Sequence, residues 1–275
     1  MTQILALTSA ALFGVADFAG GLATRSHSPW RVTSWSQLIG LPILLVAVVV
    51  VGATEVTGRD LILGAVAGAF GLVGIVAMYS ALATGTMSIV APIIGSLAAA
   101  IPVGWDLATG GAIEPIHWIG IAVSLGAVAL LAFQPGTASG DRAPIIKAIG
   151  AAIAFAAFFI AMSYTTEASA LWPLVAARLV TVPLAFLMAL AVRSAAFPER
   201  PILPLIAFTG FADMGANLAI VIAVQRGPLG VNAVLSSLYP AFTVVAALVF
   251  LKERPNTSQR VGIALAVVAA VILAT

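Results

Sequence analysis

The second half of this chain repeats the first at a fixed distance of 142 residues. Leu61 matches Leu203, Gly68 matches Gly210, Ala81 matches Ala223, Gly85 matches Gly227, and Gly120-Ile121-Ala122 matches Gly262-Ile263-Ala264. The register holds without a gap to Ala132/Ala274. About 16 of roughly 72 aligned pairs are identical, about twice what chance gives an Ala-, Gly- and Leu-rich chain. Upstream, Phe13 matches Phe155, and Gln37-x4-Pro42 matches Arg178-x4-Pro183 with one residue of slip. A duplication confines the fold to two copies of one unit that bury their apolar faces against each other.

Lipid is the solvent for those units. The chain is 62% hydrophobic and 8% charged, with a mean hydropathy of +1.16, against roughly 25% charged residues in soluble domains. A bilayer-spanning helix needs about 20 mostly apolar residues. Ten runs qualify, near 2–23, 32–52, 61–84, 88–106, 116–133, 145–166, 172–192, 202–226, 229–251 and 258–274. The first run lacks a basic flank and a clear A-x-A site, so it reads as a retained helix, not a signal peptide. Turn chemistry separates the runs at Ser26-His27-Ser28-Pro29, Thr57-Gly58-Arg59-Asp60, Phe197-Pro198-Glu199-Arg200-Pro201 and Lys252-Glu253-Arg254-Pro255-Asn256, with very tight connections at Gly85-Thr86 and Gly227-Pro228. The polar stretch Gln134–Arg142 reads as a linker. The expected organisation is a first unit over 1–134, a linker over 135–144 and a second unit over 145–275.

Five helices per unit is an odd number, so the copies must cross the membrane in opposite directions. The fold class is therefore all-α integral membrane: ten transmembrane helices in two inverted five-helix repeats. Gly64, Gly68 and Gly71 form a small-residue stripe on the third helix, suited to close helix packing in lipid. Pro42, Pro92, Pro102, Pro183 and Pro240 lie inside spans and are expected to kink them, Pro92 and Pro240 beside a cavity.

Several function classes are excluded or disfavoured. No HExxH, G-x-S-x-G or Walker-type phosphate loop is present, so no catalytic site is assigned. No cysteine exists to build a thiolate metal site or a disulfide. Neither a metal nor a cofactor is expected. The net charge of +2 rests on basic residues in short loops, which argues for topology signals and not for nucleic-acid binding. Any active transport must draw on a gradient or exchange.

Ionisable residues inside a span are costly and mark function by default. Here they are Asp17, Arg178 and Asp213. Asp213 lies about eleven residues into its helix, near mid-membrane, and Arg178 is offset from it in depth by roughly 6 Å. Two readings stay open for this pair: a structural ion pair, or a site for substrate charge or a proton. Asp17 either meets Arg25 or Arg31 or faces a wet cavity. Asn217 lies one turn beyond Asp213, and Tyr239 falls near mid-membrane beside Pro240. These five, Asp17, Arg178, Asp213, Asn217 and Tyr239, are the candidate substrate-binding or coupling residues. Tyr79, Ser96, Tyr164 and Ser236 are candidates for lining the cavity, although Tyr79 and Tyr164 also read as interfacial anchors. The repeat sharpens the choice, because the polar residues break it: Asp213 aligns with Gly71, Arg178 with Gln37 and Asp17 with Phe159.

The chain resembles the drug/metabolite transporter superfamily, in its EamA-like ten-helix branch. Phe13-Gly14-Val15-Ala16-Asp17-Phe18 is similar to the first-helix motif, with Phe13 where a Trp is usual. Arg178 followed by Pro183 resembles the arginine of a repeat's second helix. Leu251-Lys252-Glu253-Arg254 with Gln259-x2-Gly262 resembles the end of a repeat, while Glu114–Gly120 keeps only the acid and the glycine. The resemblance implies a secondary transporter with a central cavity lined by helices 1, 3, 4, 6, 8 and 9, working on metabolites that include amino acids. It also implies both termini in the cytoplasm.

Lys/Arg asymmetry implies the reverse orientation. Arg25, Arg31, Arg142, Lys147, Arg193, Arg200, Lys252, Arg254 and Arg260 fall on one side, against Arg59 and Arg226 on the other. The expected function is export of small metabolites, amino acids and among them aromatic ones, by alternating access, from a multi-pass protein of a bacterial-type inner membrane. The expected partners are a small-molecule substrate and the lipid bilayer, with the chain a monomer. The alternative is proton-coupled efflux of cationic drugs. An integral-membrane enzyme or a non-transporting scaffold is more remote.

Overall fold

The computed structural model describes residues 1–84, 87–111, 113–132, 143–195, 197–251 and 256–274. The expected turns at Gly85-Thr86 and Lys252–Pro255 lie outside them, as does most of the expected linker. Eleven α-helices make up the described chain: α1 (Thr2–Thr24), α2 (Pro29–Val51), α3 (Gly58–Thr84), α4 (Met87–Ala108), α5 (Pro115–Ala132), α6 (Ala143–Ser163), α7 (Trp172–Ala191), α8 (Leu203–Arg226), α9 (Leu229–Ser236), α10 (Tyr239–Leu251) and α11 (Thr257–Ala274). A short 3-10 turn, Glu167–Ser169, precedes α7. Among the described residues, six helices, α1, α2, α3, α6, α7 and α8, are long and apolar enough by length and composition to cross a membrane.

Local chemistry sets the ends. Pro29, Pro173 and Pro204 sit in first turns, where a backbone N–H has no partner to lose. Gly52, at a φ of 66°, ends α2 in a backbone conformation that a side chain would strain. Pro42 and Pro183, equivalent positions of the two copies, are carried inside continuous helices.

The ninth expected span, 229–251, is not one helix. It breaks at Ser237-Leu238 into α9 and α10. Pro240 has no N–H to offer the Ser236 carbonyl, and a residue before proline disfavours the helical conformation. The Ser237 hydroxyl completes the break by donating to the Val234 carbonyl at 2.7 Å. Gly95 of α4 packs close by, where a Cβ would lie 3.2 Å from the Ser237 carbonyl oxygen.

Packing follows the repeat. Helices α1 and α8 pair, as do their counterparts α6 and α3; α2 and α8 pair, as do α7 and α3; α4 and α6 pair, as do α1 and the α9–α10 span. The helices α2, α4 and α5 each also touch their own counterparts α7, α9 and α11. Such exchange is what a pseudo-two-fold axis between inverted copies produces. The glycines make it possible. A Cβ on Gly68 would fall on the backbone of Ala177, and one on Gly210 would fall on the backbone of Ser36. Gly68 and Gly210 are counterparts, as are Ser36 and Ala177 at the slipped register, so the same close crossing is built twice.

Large apolar side chains point outward along the helices, with Val49 83% and Leu179 72% exposed. Turned toward lipid, they cost nothing. At the end carrying the N-terminus, polar bonds tie the loops together. Asp60, fully buried, accepts from the Thr166 backbone N–H at 3.1 Å and the Thr166 hydroxyl at 2.8 Å. Gln225 donates to Thr165 Oγ1 at 2.7 Å and to the Ala170 carbonyl at 3.1 Å, and Asp106 accepts from the Gly230 N–H at 3.0 Å. At the opposite end, Arg31 and Trp35 donate to the carbonyls of Ser194 and Ala195.

Candidate functional site

Two small chambers lie between the halves and share Phe13, Ile75, Phe155, Phe159 and Asp213 in their walls. Their volumes are about 50 Å³ and about 60 Å³, where a single water needs roughly 10–15 Å³ on the same measure. Each holds a few waters or one small group.

The first chamber is the more polar. Gln37 of α2, Arg178 and Thr181 of α7, and Asp213 and Asn217 of α8 line it, opposite Gly68 and Gly71 of α3. Arg178 Nη2 donates to Asp213 Oδ2 at 3.0 Å, and the two side chains are only 7% and 13% exposed. Removing both charges from water is expensive, and a good ion pair offsets that only when the remaining donors and acceptors are also met. Here one is not: Arg178 Nε has no partner among the described residues. Asn217 Nδ2 donates to the Asp213 carbonyl at 2.8 Å, one helical turn back, and holds its side chain against the same wall.

The second chamber carries an acid. Asp17 of α1 lines it with Met78, Ala98, Asp213, Ser236, Ser237 and Tyr239. Asp17 and Asp213 lie within electrostatic reach of each other, and Tyr79 and Tyr239 within reach of Asp17. The break in the ninth span thus delivers Ser236, Ser237 and Tyr239 to the cavity wall at one level. Ser236 also shares a hydrogen bond with Ser9 of α1 at 3.3 Å, and Thr243 donates to the Gly14 carbonyl at 3.0 Å, fixing α10 against α1. Helices α1, α3, α4, α6, α8 and the α9–α10 span supply this chamber, the six spans that the resemblance implies. The first chamber adds α2 and α7, which it does not.

The structure brings Asp17, Arg178, Asp213, Asn217 and Tyr239 to the walls of these two chambers. Ser236 lines the second one. The other three cavity candidates are placed elsewhere. Tyr79 is 1% exposed and packs its hydroxyl end on Gly20 of α1 within a core cluster. Tyr164 lies in the turn just after α6, 42% exposed, and accepts from Trp105 Nε1 at 3.0 Å. Ser96 is partly buried on α4 and is in neither wall. Arg31, one possible partner for Asp17, is instead bound to the Ser194 carbonyl.

Sequence reasoning missed Gln37, Thr181 and the phenylalanines as wall residues. A signal existed for two of them. Gln37 is the counterpart of Arg178, and Thr181 lies three residues after Arg178 on one helix face. The phenylalanines gave none, since an apolar residue in an apolar span is silent. Among the described residues no cluster of His, Cys, Asp or Glu could hold a metal ion.

Comparison with known proteins agrees with this architecture. The model of the EamA-like transporter family matches the chain twice, over residues 1–133 and 142–275. A solved structure, titled only as a crystal structure of a protein, superposes with a TM-score of 0.80, covering 98% of this chain and 95% of that one at 19% identity. That likeness concerns the fold alone. No curated protein sequence matches.

Proposed function

The chain belongs to the EamA-like transporter family, a multi-pass membrane transporter of the drug/metabolite type, and on that premise we propose that it exports amino acids by alternating access. The observation that supports this most is the Arg178–Asp213 pair, incompletely satisfied, with Asp17 in a second chamber whose wall Asp213 shares. A zwitterion carries both charges that such a wall can meet. Its ammonium is held by Asp213 and Asp17, and its carboxylate by Arg178. Tyr239 and the phenylalanines Phe13, Phe155 and Phe159 receive the side chain. The halves rock about the cavity and open it to each face in turn. The setting is a bacterial-type inner membrane.

Rigid-body rocking suits this frame. The same close helix crossings, Gly68 on Ala177 and Gly210 on Ser36, occur in both copies, so a motion that opens one end has a counterpart at the other. The chambers are too small for a whole amino acid as they stand, which fits a state with the site closed.

The test is uptake of labelled amino acids into proteoliposomes, with and without a pH gradient. Saturable flux in the wild type, lost in Asp213→Asn, supports the proposal. Flux that both Asp213→Asn and Asp17→Asn leave intact rejects the carboxylate role. A second reading, proton-coupled efflux of cationic compounds, draws on Asp17, which makes no hydrogen bond to a described residue and adds a second acid against one arginine. Resistance to toxic cations on expression, without amino-acid flux, would favour it.

A further inference from the structure

We propose that Gln37, Thr181 and the unpaired edge of Arg178 form a head-group subsite in the first chamber, one that reads an ammonium and a carboxylate carried on neighbouring atoms of the substrate. The proposal deepens the amino-acid reading above and rests on it.

Three buried polar atoms carry the argument. Gln37 Oε1, Arg178 Nε and Thr181 Oγ1 have no hydrogen-bond partner among the described residues, and these residues are only 3%, 6% and 2% exposed. Native interiors rarely leave such groups unmet, because each keeps the cost of its desolvation without return. Here the three residues that carry them line one small chamber, on helices α2 and α7 that touch each other. Gln37 and Arg178 are counterparts in the repeat, so the chamber sits where the copies meet.

The chamber exists because the copies differ. Gly71 stands where the second copy has Asp213. Without a side chain at Gly71 the α3 wall is open, and a Cβ there would only touch the Phe158 ring at 3.4 Å. The same duplication that fills one site with a carboxylate leaves the other empty enough to receive a ligand.

The atom types then choose among ligands. Arg178 Nε only donates, Gln37 Oε1 only accepts, and the Thr181 hydroxyl does either. A simple cation meets Gln37 and Asp213 but leaves Arg178 Nε unmet. A simple anion meets Arg178 and Thr181 but leaves Gln37 unmet and approaches Asp213. A carboxylate beside an ammonium satisfies all three atoms and opposes both members of the ion pair with opposite charge. The chamber, about 50 Å³, is the size of a head group. The rest of the molecule passes between Phe13, Phe155 and Phe159 toward the second chamber.

The experiment is equilibrium binding to the purified full-length protein in lipid nanodiscs. The probes are leucine, phenylalanine and threonine, each beside its decarboxylated amine. The wild type is expected to bind at least one amino acid, and to prefer it over its amine by about tenfold or more, the scale of hydrogen bonds to a charged group. Thr181→Val should weaken the amino acid about tenfold and leave the amine unchanged, and Thr181→Ser should restore it. Gln37→Met should weaken both; if it does not fold, Gln37→Asn takes its place with the same expectation. Wild-type binding that is unchanged in Thr181→Val and in the Gln37 variant means that the three atoms hold water only, and overturns the subsite alone. A wild type that binds none of the amino acids overturns the subsite and the amino-acid reading together.

Discussion

Gly71 and Asp213, counterparts 142 residues apart in a duplicated chain, line the same chamber. One supplies the charge that Arg178 holds at 3.0 Å, and the other supplies the space. The expected consequence is a difference between small and large replacements at Gly71. Gly71→Ala should leave thermal stability equal or raised by up to about 1 kcal/mol, since Ala favours a helix over Gly, and should keep binding. Gly71→Leu should fill the chamber and abolish binding in a protein that still folds. Thermal melting in detergent, paired with ligand binding, reads both.

The ion pair separates stability from function. Breaking it from one side, with Arg178→Met or Asp213→Leu alone, leaves a buried charge unpaired and should cost about 3–5 kcal/mol. Replacing both residues should recover most of that loss, because two well-packed apolar side chains need no partner. Transport should stay lost in the double variant. A double-variant cycle measured by thermal or denaturant unfolding, with flux in parallel, tests this.

The twin crossings should fail alike. Gly68→Leu drives a side chain into the backbone of Ala177, and Gly210→Leu drives one into the backbone of Ser36. Overpacking of this kind typically costs about 1–3 kcal/mol, and more where backbone must move. Both variants should lose thermal stability by similar amounts, although only the second lies on the helix that bears Asp213. A large effect at one site and none at the other would mean that the crossings are not equivalent.

The broken ninth span is expected to trade stability for activity. Pro240→Ala restores an N–H to the Ser236 carbonyl and removes the ring clash, a change worth up to about 3 kcal/mol in a helix interior. The variant should melt higher. Ser236, Ser237 and Tyr239, which the break presents to the second chamber, should then shift, and flux should fall. Melting temperature and initial flux rate move in opposite directions if this holds.

Much of the fold was legible because lipid imposes so few solutions. Apolar length gave the spans, and the odd count per copy gave their inversion. The Gly64, Gly68 and Gly71 stripe marked close packing on the third helix, where Gly64 and Gly68 meet the backbone of α7; the matching crossing at Gly210 was not read. The break at Ser237-Leu238 was not legible as a break: hydropathy runs straight through 229–251, and a proline inside a span need not interrupt it, as Pro42 and Pro183 lie within continuous helices. Among the candidate residues, Asp17, Arg178 and Asp213 stood out because a charge inside an apolar span is costly, and their departure from the repeat sharpened the choice. Tyr79 misled, since a phenol reads as polar while its hydroxyl end is packed on Gly20 in the core. Thr181 was passed over because a threonine in a helix commonly bonds its own backbone, and only the structure shows that this one does not.

The most direct test of the account is counterflow in proteoliposomes: preloading with an excess of an unlabelled amino acid, then timing the entry of the same amino acid supplied labelled and at low concentration outside. A transporter that alternates around Asp213 should show a transient overshoot in the wild type and none in Asp213→Asn, with the variant still folded by its melting curve. An overshoot of equal height in Asp213→Asn would contradict a cavity organised by the Arg178–Asp213 pair.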